Sequence, residues 1–415
     1  MKYYRKKNCR LCNSINLEKK LSLTPTPAAD SYVAQKDIKK NQDLIPLELM
    51  MCKDCKHTQL SCVIDAEEVY LNYIYETAST LGLSSHFFDC AKYIIENYAI
   101  KKNGLVLDIG SNDGILLKYF KDQNFKVLGI DPMPGISIKA KENGVDTVEG
   151  FFNKDLAEKL KNKHEIPAII SCNNLVADTD NLEELFDDIK ILMNKETIFF
   201  FETFYFYSQV KNNNWDFTYH EHYSYFTIKP LKKFIESKNM EIIDVIENNT
   251  KGGSIRVVTQ LKGGKNKVSE SVDRFLFKEE QNKFHSSEIF NLYEKNINAQ
   301  KENNLNFLES LKNSNQTVVG YGASATSTTL IYHYNLNLYL DYLVDDFKSK
   351  QNLFSPGYHI PVFSPDKIYT NEKKIDYVMI LAWRYKDKII KKNQKFLDKG
   401  GKFIIPLPKF EIVSK

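Results

Sequence analysis

L-V-L-D-I-G-S-N-D-G, running from Leu105 to Gly114, decides the fold of this 415-residue chain. It reads as a short buried strand ending beside an acid, then a glycine turn, then I-L-L-K-Y-F at a helix's apolar spacing. Gly110 and Gly114 carry no Cβ, so the backbone there can turn sharply and come close to a ligand. A dinucleotide fingerprint places three glycines at G-x-G-x-x-G. Here Ser111 and Asn112 follow the first glycine, and the loop suits a compact ligand better than a diphosphate. A second strand, Lys126 to Ile130, ends at Asp131, where an acid can accept hydrogen bonds from both hydroxyls of an adenosine ribose. The competing reading is any doubly wound α/β domain with a glycine turn.

The length predicts two or three domains. Hydrophobic residues at 42% and charged residues at 27% describe a globular chain, and a net charge of +4, from 57 basic and 53 acidic residues, is spread along it. That pattern does not point to nucleic acid. No segment has the uninterrupted apolar length of a membrane span, and M-K-Y-Y-R-K-K-N-C lacks an apolar signal core, so a cytoplasmic protein is expected. In a reducing compartment the seven cysteines are read as ligands or buried thiols rather than disulfides.

Cys9 and Cys12 form one C-x-x-C, and Cys52 and Cys55 a second. Two such knuckles predict a four-cysteine tetrahedral zinc site, structural because four protein ligands leave the ion no open position. A redox pair is the competing reading. Cys62, Cys90 and Cys172 lack a partner at ligand spacing and read as buried thiols.

From Asp65 to Ala99 the pattern is helical, with a polar and aromatic patch holding Tyr73 and Tyr75. After a strand Ala168 to Ser171, Asn173 and Asn174 stand where open α/β sheets place ligands; capping the next helix is their competing job, which Asp178, Thr179 or Asp180 could do instead. A buried strand Thr197 to Phe201 is expected to end at Glu202. Then comes W-D-F-T-Y-H-E-H-Y-S-Y-F-T, Trp215 to Thr227, with two histidines and a glutamate among aromatics. The spacing lacks the helical H-E-x-x-H of a metal site. It suits an acid/base cluster, a histidine walled by rings and oriented by a carboxylate with a pKa near working pH. If the segment were a strand, His220 and His222 would share a face. An aromatic core with solvent-facing histidines is the alternative.

G-G-S-I-R-V-V-T, from Gly252, predicts a late strand of the same sheet, and a charged helical connector follows to about Asn315. From Thr317, V-V-G-Y-G-A-S-A-T-S-T-T-L repeats strand, glycine turn and helix, and further short apolar runs predict a small parallel sheet. Its turn could hold a phosphate or ribose, or merely pack helix on strand.

Taken in order, the two knuckles, D-I-G-S-N-D-G, N-N-L-V-A, Y-H-E-H-Y-S-Y-F, G-G-S-I-R, G-Y-G-A, V-D-D and L-A-W resemble the nucleotide-sugar C-methyltransferases of deoxysugar pathways over nearly the whole chain. The resemblance implies a class I S-adenosylmethionine (SAM) methyltransferase core, a Rossmann-like α/β domain, with an N-terminal zinc module and a C-terminal Rossmann-like domain. It implies methyl transfer to a sugar carbon beside a ketone, usually C3 of a dTDP-4-keto-deoxyhexose. Matched by position, His222 falls on the family's base, and Tyr219 and Glu221 on residues near the reacting sugar. Tyr75, with Tyr73 close by, matches the N-terminal tyrosine of that pocket, and Asn174 an asparagine of the sugar site. Gly110, Asn112, Gly114, Asp131 and Asn173 are the expected cofactor residues. Two departures stand out. Asp178 replaces a histidine in N-x-x-x-H, and G-Y-G-A-S-A-T-S-T-T lacks the lysine and glycine of the usual C-terminal turn.

The expected organisation is a zinc module over 1–65, a methyltransferase domain over 66–262, a connector over 263–315 and a Rossmann-like domain over 316–415. A nucleotide-sugar substrate and a monomer or weak oligomer are expected, with no nucleic-acid or membrane partner. An O-methyltransferase acting on sugars, or a non-catalytic partner in glycan synthesis, are the rival readings.

Overall fold

The computed structural model describes residues 3–65 and 82–415. Tyr73 and Tyr75 lie outside the described residues. Seven strands, β1 (Leu105–Ile109), β2 (Lys126–Asp131), β3 (Thr147–Glu149), β4 (Ile169–Ser171), β5 (Ile198–Phe204), β6 (Met240–Asn248) and β7 (Ser254–Leu261), form one sheet in the order 3-2-1-4-5-7-6. Strand β7 runs antiparallel to both its neighbours, while β1 to β5 pair in parallel. Parallel neighbours need crossover helices, and these cover both faces. That is why every residue of β1 and β5 is buried. Phe199 and Phe201 meet Phe186 on one face, and Phe200 joins Leu117 and Ile198 on the other, as strand alternation requires.

Strand β5 continues through Glu202 to Phe204, beyond the expected end. The acid is tolerated inside the strand because the guanidinium of Arg256 donates to it at 3.0 Å and the Nε2 of His86 at 2.7 Å. Strand β7 is flanked on both sides, with β6 on the outer edge. Sheet order reverses between β1 and β4, and Gly110 and Asn173 leave the carboxyl ends of those two strands. This is the switch point where α/β sheets open a ligand crevice.

The N-terminal sheet contains Leu17–Thr26, Ile45–Cys52 and Thr58–Leu60, and its edge strand, Ser224–Tyr225, comes from the aromatic stretch far along the chain. In the C-terminal region Val318–Tyr321, Leu343–Val344, Val362–Phe363, Tyr377–Ile380, Lys402–Ile405 and Glu411–Val413 form a sheet of order 3-2-1-4-5-6 in their own count. This is the strand order of nucleotide-binding doubly wound folds, with the last strand antiparallel. Between the two lie the helices Glu270–Gln281 and Ser287–Asn313. The first is tied to the central domain through Glu279, which accepts from the Tyr205 hydroxyl at 2.8 Å and the Ile228 and Lys229 amides at 2.6 and 3.0 Å. No described helix is long and apolar enough to cross a membrane.

Candidate active site

The four cysteine sulfurs lie within 4.8 Å of one another, with Cys9 to Cys55 at 3.5 Å and Cys12 to Cys52 at 3.6 Å. Zinc–thiolate bonds of about 2.3 Å put neighbouring sulfurs of a tetrahedron roughly 3.8 Å apart. The donor set and its spacing therefore fit zinc. The two knuckles are built alike. Asn13 and Lys56 take left-handed conformations (φ 57° and 71°) and donate backbone N–H bonds of 3.0 Å to the carbonyls of Cys9 and Cys52.

This module holds the aromatic stretch in place. The Leu60 amide donates to the Tyr223 carbonyl at 2.9 Å, the Tyr223 hydroxyl donates to the Ile64 carbonyl at 2.8 Å, and His220 Nε2 donates to the Ile45 carbonyl at 3.2 Å. From the other side, the Trp383 indole donates to Asp216 at 2.8 Å, and Arg384 makes a two-pronged bond to the same carboxylate at 2.8 and 3.2 Å. The Thr329 hydroxyl donates to the Thr218 carbonyl at 3.0 Å. The N-terminal and C-terminal units thus grip the stretch from opposite sides.

Residues 220 and 221 form a turn rather than a strand, so the shared face that a strand would give His220 and His222 does not arise. His220 is consumed by its bond to Ile45, whereas His222, with Tyr219, Glu221 and Tyr223, lines a cavity of about 1480 Å³. The rings of Tyr219, Phe204 and Phe217 stand 4.0, 4.7 and 4.8 Å from the His222 ring. Its Nδ1 donates to the Phe217 carbonyl at 3.1 Å, which leaves Nε2 as the bare nitrogen of a neutral ring. The orienting group is that carbonyl and not a carboxylate of Glu221, as the sequence suggested. Nor is the pKa near working pH. Burial pushes it down to about 3, the Phe217 carbonyl opposes this, and the charges of Lys251 and Arg384 add to it. Asp178 Oδ1 lies 3.9 Å from Nε2, beyond hydrogen-bonding range, so burial wins and the ring stays neutral.

Glu221 is buried in the cavity wall, and its Oε2 has no hydrogen-bond partner among the described residues. Burial first, and then the Asp30 carboxylate, push its pKa up to about 7.

At the switch point the same cavity is lined by Gly110, Asn112, Asp131, Asn173 and Asn174. Asp131 accepts backbone N–H bonds from Asn112 and Met133, both at 2.9 Å. Gly110 adopts φ 76°, and a Cβ there would meet Leu175 at 2.7 Å. Asn174, at φ 56°, donates its backbone N–H to the Glu202 carbonyl at 2.7 Å. The helix Leu182–Ile191 is capped by Asn181, so neither asparagine of the strand end nor Asp178 does that job. Gly114 does not line the cavity. At φ 75° it opens the helix Ile115–Asp122, with Val145 at 3.0 Å from where a Cβ would sit. The close approach of Val145 gives this glycine a packing role.

The far wall of the cavity comes from the C-terminal sheet: Gly322, Ala323, Ser324, Asp345 and Lys350, with Arg384. Asp345, at the tip of that domain's second strand, accepts from the Ala323 amide at 2.6 Å and the Phe347 amide at 2.7 Å. Asp131 and Asp345 are thus held in the same way, each by a glycine-turn amide and by the amide two residues on.

Family models match three successive segments: a zinc binding domain over residues 9–70, a methyltransferase domain over 87–245 and a C-methyltransferase C-terminal domain over 249–408. The three segments follow one another over nearly the whole chain and mark a SAM-dependent C-methyltransferase. C-methyltransferase NovU of Streptomyces niveus is 26% identical over 407 residues, 98% of this chain and 96% of that protein. Among solved structures, the methyltransferase in complex with the Trm112 activator of Haloferax volcanii is 10% identical, with a TM-score of 0.36 over 44% of this chain and 92% of that one. A SAM-dependent methyltransferase of Aquifex aeolicus is 14% identical, with a TM-score of 0.32 over 43% and 98%.

The switch-point residues fit SAM. Both side-chain polar atoms of Asn173 are buried with no partner among the described residues, a donor and an acceptor waiting for a ligand such as adenine. Each Asp131 oxygen keeps a second lone pair for a ribose hydroxyl. The sequence reading missed the Phe217 carbonyl, Lys251 and Asp345. A backbone carbonyl leaves no trace in sequence. The acid of L-V-D-D, however, stands at a strand-two tip as Asp131 does, and that signal could have found it.

Proposed function

We propose that this SAM-dependent C-methyltransferase acts on a nucleotide-linked ketosugar, at the carbon beside the ketone, with His222 as the base. One observation carries the reading. A single cavity runs from the Asp131 strand end, past the bare Nε2 of His222, to the second, similarly held aspartate, Asp345. Its volume exceeds the roughly 300–1,000 Å³ of an ordinary single-ligand pocket, as a site for cofactor and nucleotide sugar together must.

SAM, bound against Gly110, Asn112, Asn173 and Asp131, supplies an electrophilic methyl group on a sulfonium. His222 Nε2 takes the proton from the carbon next to the ketone, and the electron pair left behind makes that carbon the nucleophile. Tyr219, Phe204 and Phe217 keep water from the reacting carbon. Glu221, whose pKa near 7 leaves about half the molecules protonated at neutral pH, can in that form donate to a sugar oxygen, and Asn174 and Tyr75 are assigned to the same sugar pocket. Asp345 and the Gly322 turn offer the nucleotide's ribose an acceptor and its phosphates a helix N-terminus.

Incubation with SAM and a panel of nucleotide 4-ketosugars, followed by mass measurement, should show one product heavier by a methyl group. Proton exchange at the neighbouring carbon then distinguishes carbon from oxygen as acceptor. A product methylated on oxygen would overturn the reading.

A further inference from the structure

Strand β5 closes on two polar residues in different surroundings. Glu202 is engaged by His86, Arg256 and the Thr250 hydroxyl. Thr203, two residues before the aromatic Tyr205, is 1% exposed and lines the cavity, and its Oγ1 has no hydrogen-bond partner among the described residues. The backbone beside it belongs to the sheet. Thr203 pairs with Ile255 of β7, and on the β4 side the Asn174 amide donates to the Glu202 carbonyl at 2.7 Å. A strand side chain also stands off the sheet, away from its own ladder.

Strand formation explains the branched shape of this residue but not its hydroxyl. Valine has the same shape and the same preference for strands, with no polar atom to bury. A hydroxyl buried without a partner destabilises the fold, so this one points to a partner that arrives through the cavity. The sheet order indicates which ligand that is. Asp131 stands at the tip of β2, Gly110 follows β1 and Asn173 follows β4, so SAM in the reading above spans those three strand ends. Strand β5 is the next one outward, and with strands about 4.8 Å apart its tip lies roughly 14 Å from that of β2. Thr203 therefore faces what lies beyond the cofactor's ribose. Its neighbours agree. The Phe204 ring is 4.7 Å from that of His222, and Glu202 holds the backbone of Asn174.

We propose that Thr203 is a sugar-binding residue whose Oγ1 hydrogen-bonds a ring hydroxyl of the ketosugar. The inference rests on the ketosugar reading and deepens it. Threonine and sugar hydroxyls each donate and accept, so the pair can form in either direction. The side chain is uncharged, and no charge develops on a ring hydroxyl during the reaction. The bond is therefore equally strong before and during methyl transfer, and it acts on KM rather than on kcat. It also makes the pocket selective, because a sugar lacking that hydroxyl would leave the buried Oγ1 unpaired.

The test uses the full-length protein with saturating SAM and the dTDP- and UDP-linked 4-keto-6-deoxyhexoses, following methylation by mass. Thr203→Val should raise KM for the sugar about tenfold, the scale of one hydrogen bond, and leave kcat within about twofold. Thr203→Ser, which keeps the hydroxyl, should recover most of the affinity. SAM binding by calorimetry should be unchanged in both variants, and the melting temperature of ligand-free Thr203→Val should equal or exceed that of the natural protein. Natural kinetics in Thr203→Val overturn the proposal. So does a lower melting temperature, which would give the hydroxyl a partner within the chain. A loss of SAM affinity would give it to the cofactor, and a fall in kcat at constant KM would put it on the ketone oxygen; either overturns the proposal too. Methylation that Thr203→Val leaves untouched removes this inference alone. No methylation of any of these sugars by the natural protein removes the ketosugar reading, and this inference with it.

Discussion

The Phe217 carbonyl stands 3.1 Å from Nδ1 of His222, and this contact fixes which nitrogen of the proposed base is free. His222→Asn keeps a side-chain donor for that carbonyl but removes the basic nitrogen. It should retain SAM binding by calorimetry and lower turnover by roughly a hundredfold or more. His220→Asn loses a bond to Ile45 instead, and should act on stability rather than on chemistry. With its pKa held near 3, His222 should give proton exchange no inflection around pH 6.5. A clear inflection there would show a ring more exposed or a different base.

The cysteine module reaches the site through the edge strand Ser224–Tyr225, which pairs with Thr58 and Gln59 just beyond the second knuckle. Protein purified without added metal should contain about one zinc per chain. Cys52→Ser should lose the ion and much of the soluble yield. Stripping zinc with a chelator should abolish substrate turnover while SAM binding at the separate β1–β2 edge survives. Full activity in a metal-free preparation would refute this coupling.

Asp131→Ala should weaken SAM binding by about 1–3 kcal/mol, the scale for losing a charged acceptor. Gly110→Val should hurt more, since it forces φ 76° on a branched residue and drives a Cβ into Leu175. Calorimetry checks both, and unchanged affinity in Asp131→Ala would place the ribose elsewhere. Gly114→Ala should cost stability through Val145 and leave affinity nearly unaltered.

The Asp216 carboxylate is buried and holds Arg384 and Trp383. Asp216→Ala would leave a largely buried guanidinium without its partner, a change that costs about 3–5 kcal/mol. Urea unfolding should show the loss. Asp216→Asn, which keeps one acceptor for Trp383, should lose less.

Acid should destabilise the protein before it changes the chemistry. His57, His220, His222 and His333 are buried and His285 is half-buried, and burial lowers each pKa to about 3 or 4. Their unfolded values lie near 6.5, so on acidification the unfolded chain takes up protons first. Stability is therefore full above about pH 6.5 and falls as pH drops towards 4. Glu221 and Asp108, with pKa values raised by burial to about 7, act in the opposite sense over the same range, joined by Asp131, Asp188, Glu279 and Asp345, which burial also raises, while Asp180, Glu202 and Asp244, held low by their partners, side with the histidines. Melting temperature should fall between pH 7 and pH 5. A rise would mean that the carboxyls dominate.

Local pattern determined much of this protein by itself. The strand, glycine turn and helix around Gly110 are written in one run from Leu105 to Phe120, and the acid at the tip of β2 follows soon after it. The two cysteine knuckles are equally legible, because a C-x-x-C turn and its left-handed following residue are local events. Tertiary structure decided what depends on distant partners. His220 and His222 differ by two positions, and only the turn at 220–221 and the carbonyls of Ile45 and Phe217 separate a structural imidazole from an open one. Gly114 carries the same sequence signal as Gly110, yet Val145 behind it makes it a packing glycine. The pKa of His222 departs from expectation because burial is a property of the assembled walls, three rings and two flanking domains, and no window of sequence contains them. Lys251 and Asp178 are 73 positions apart and line one cavity, because the sheet order 3-2-1-4-5-7-6 brings the carboxyl end of β4 and the start of antiparallel β7 to one edge.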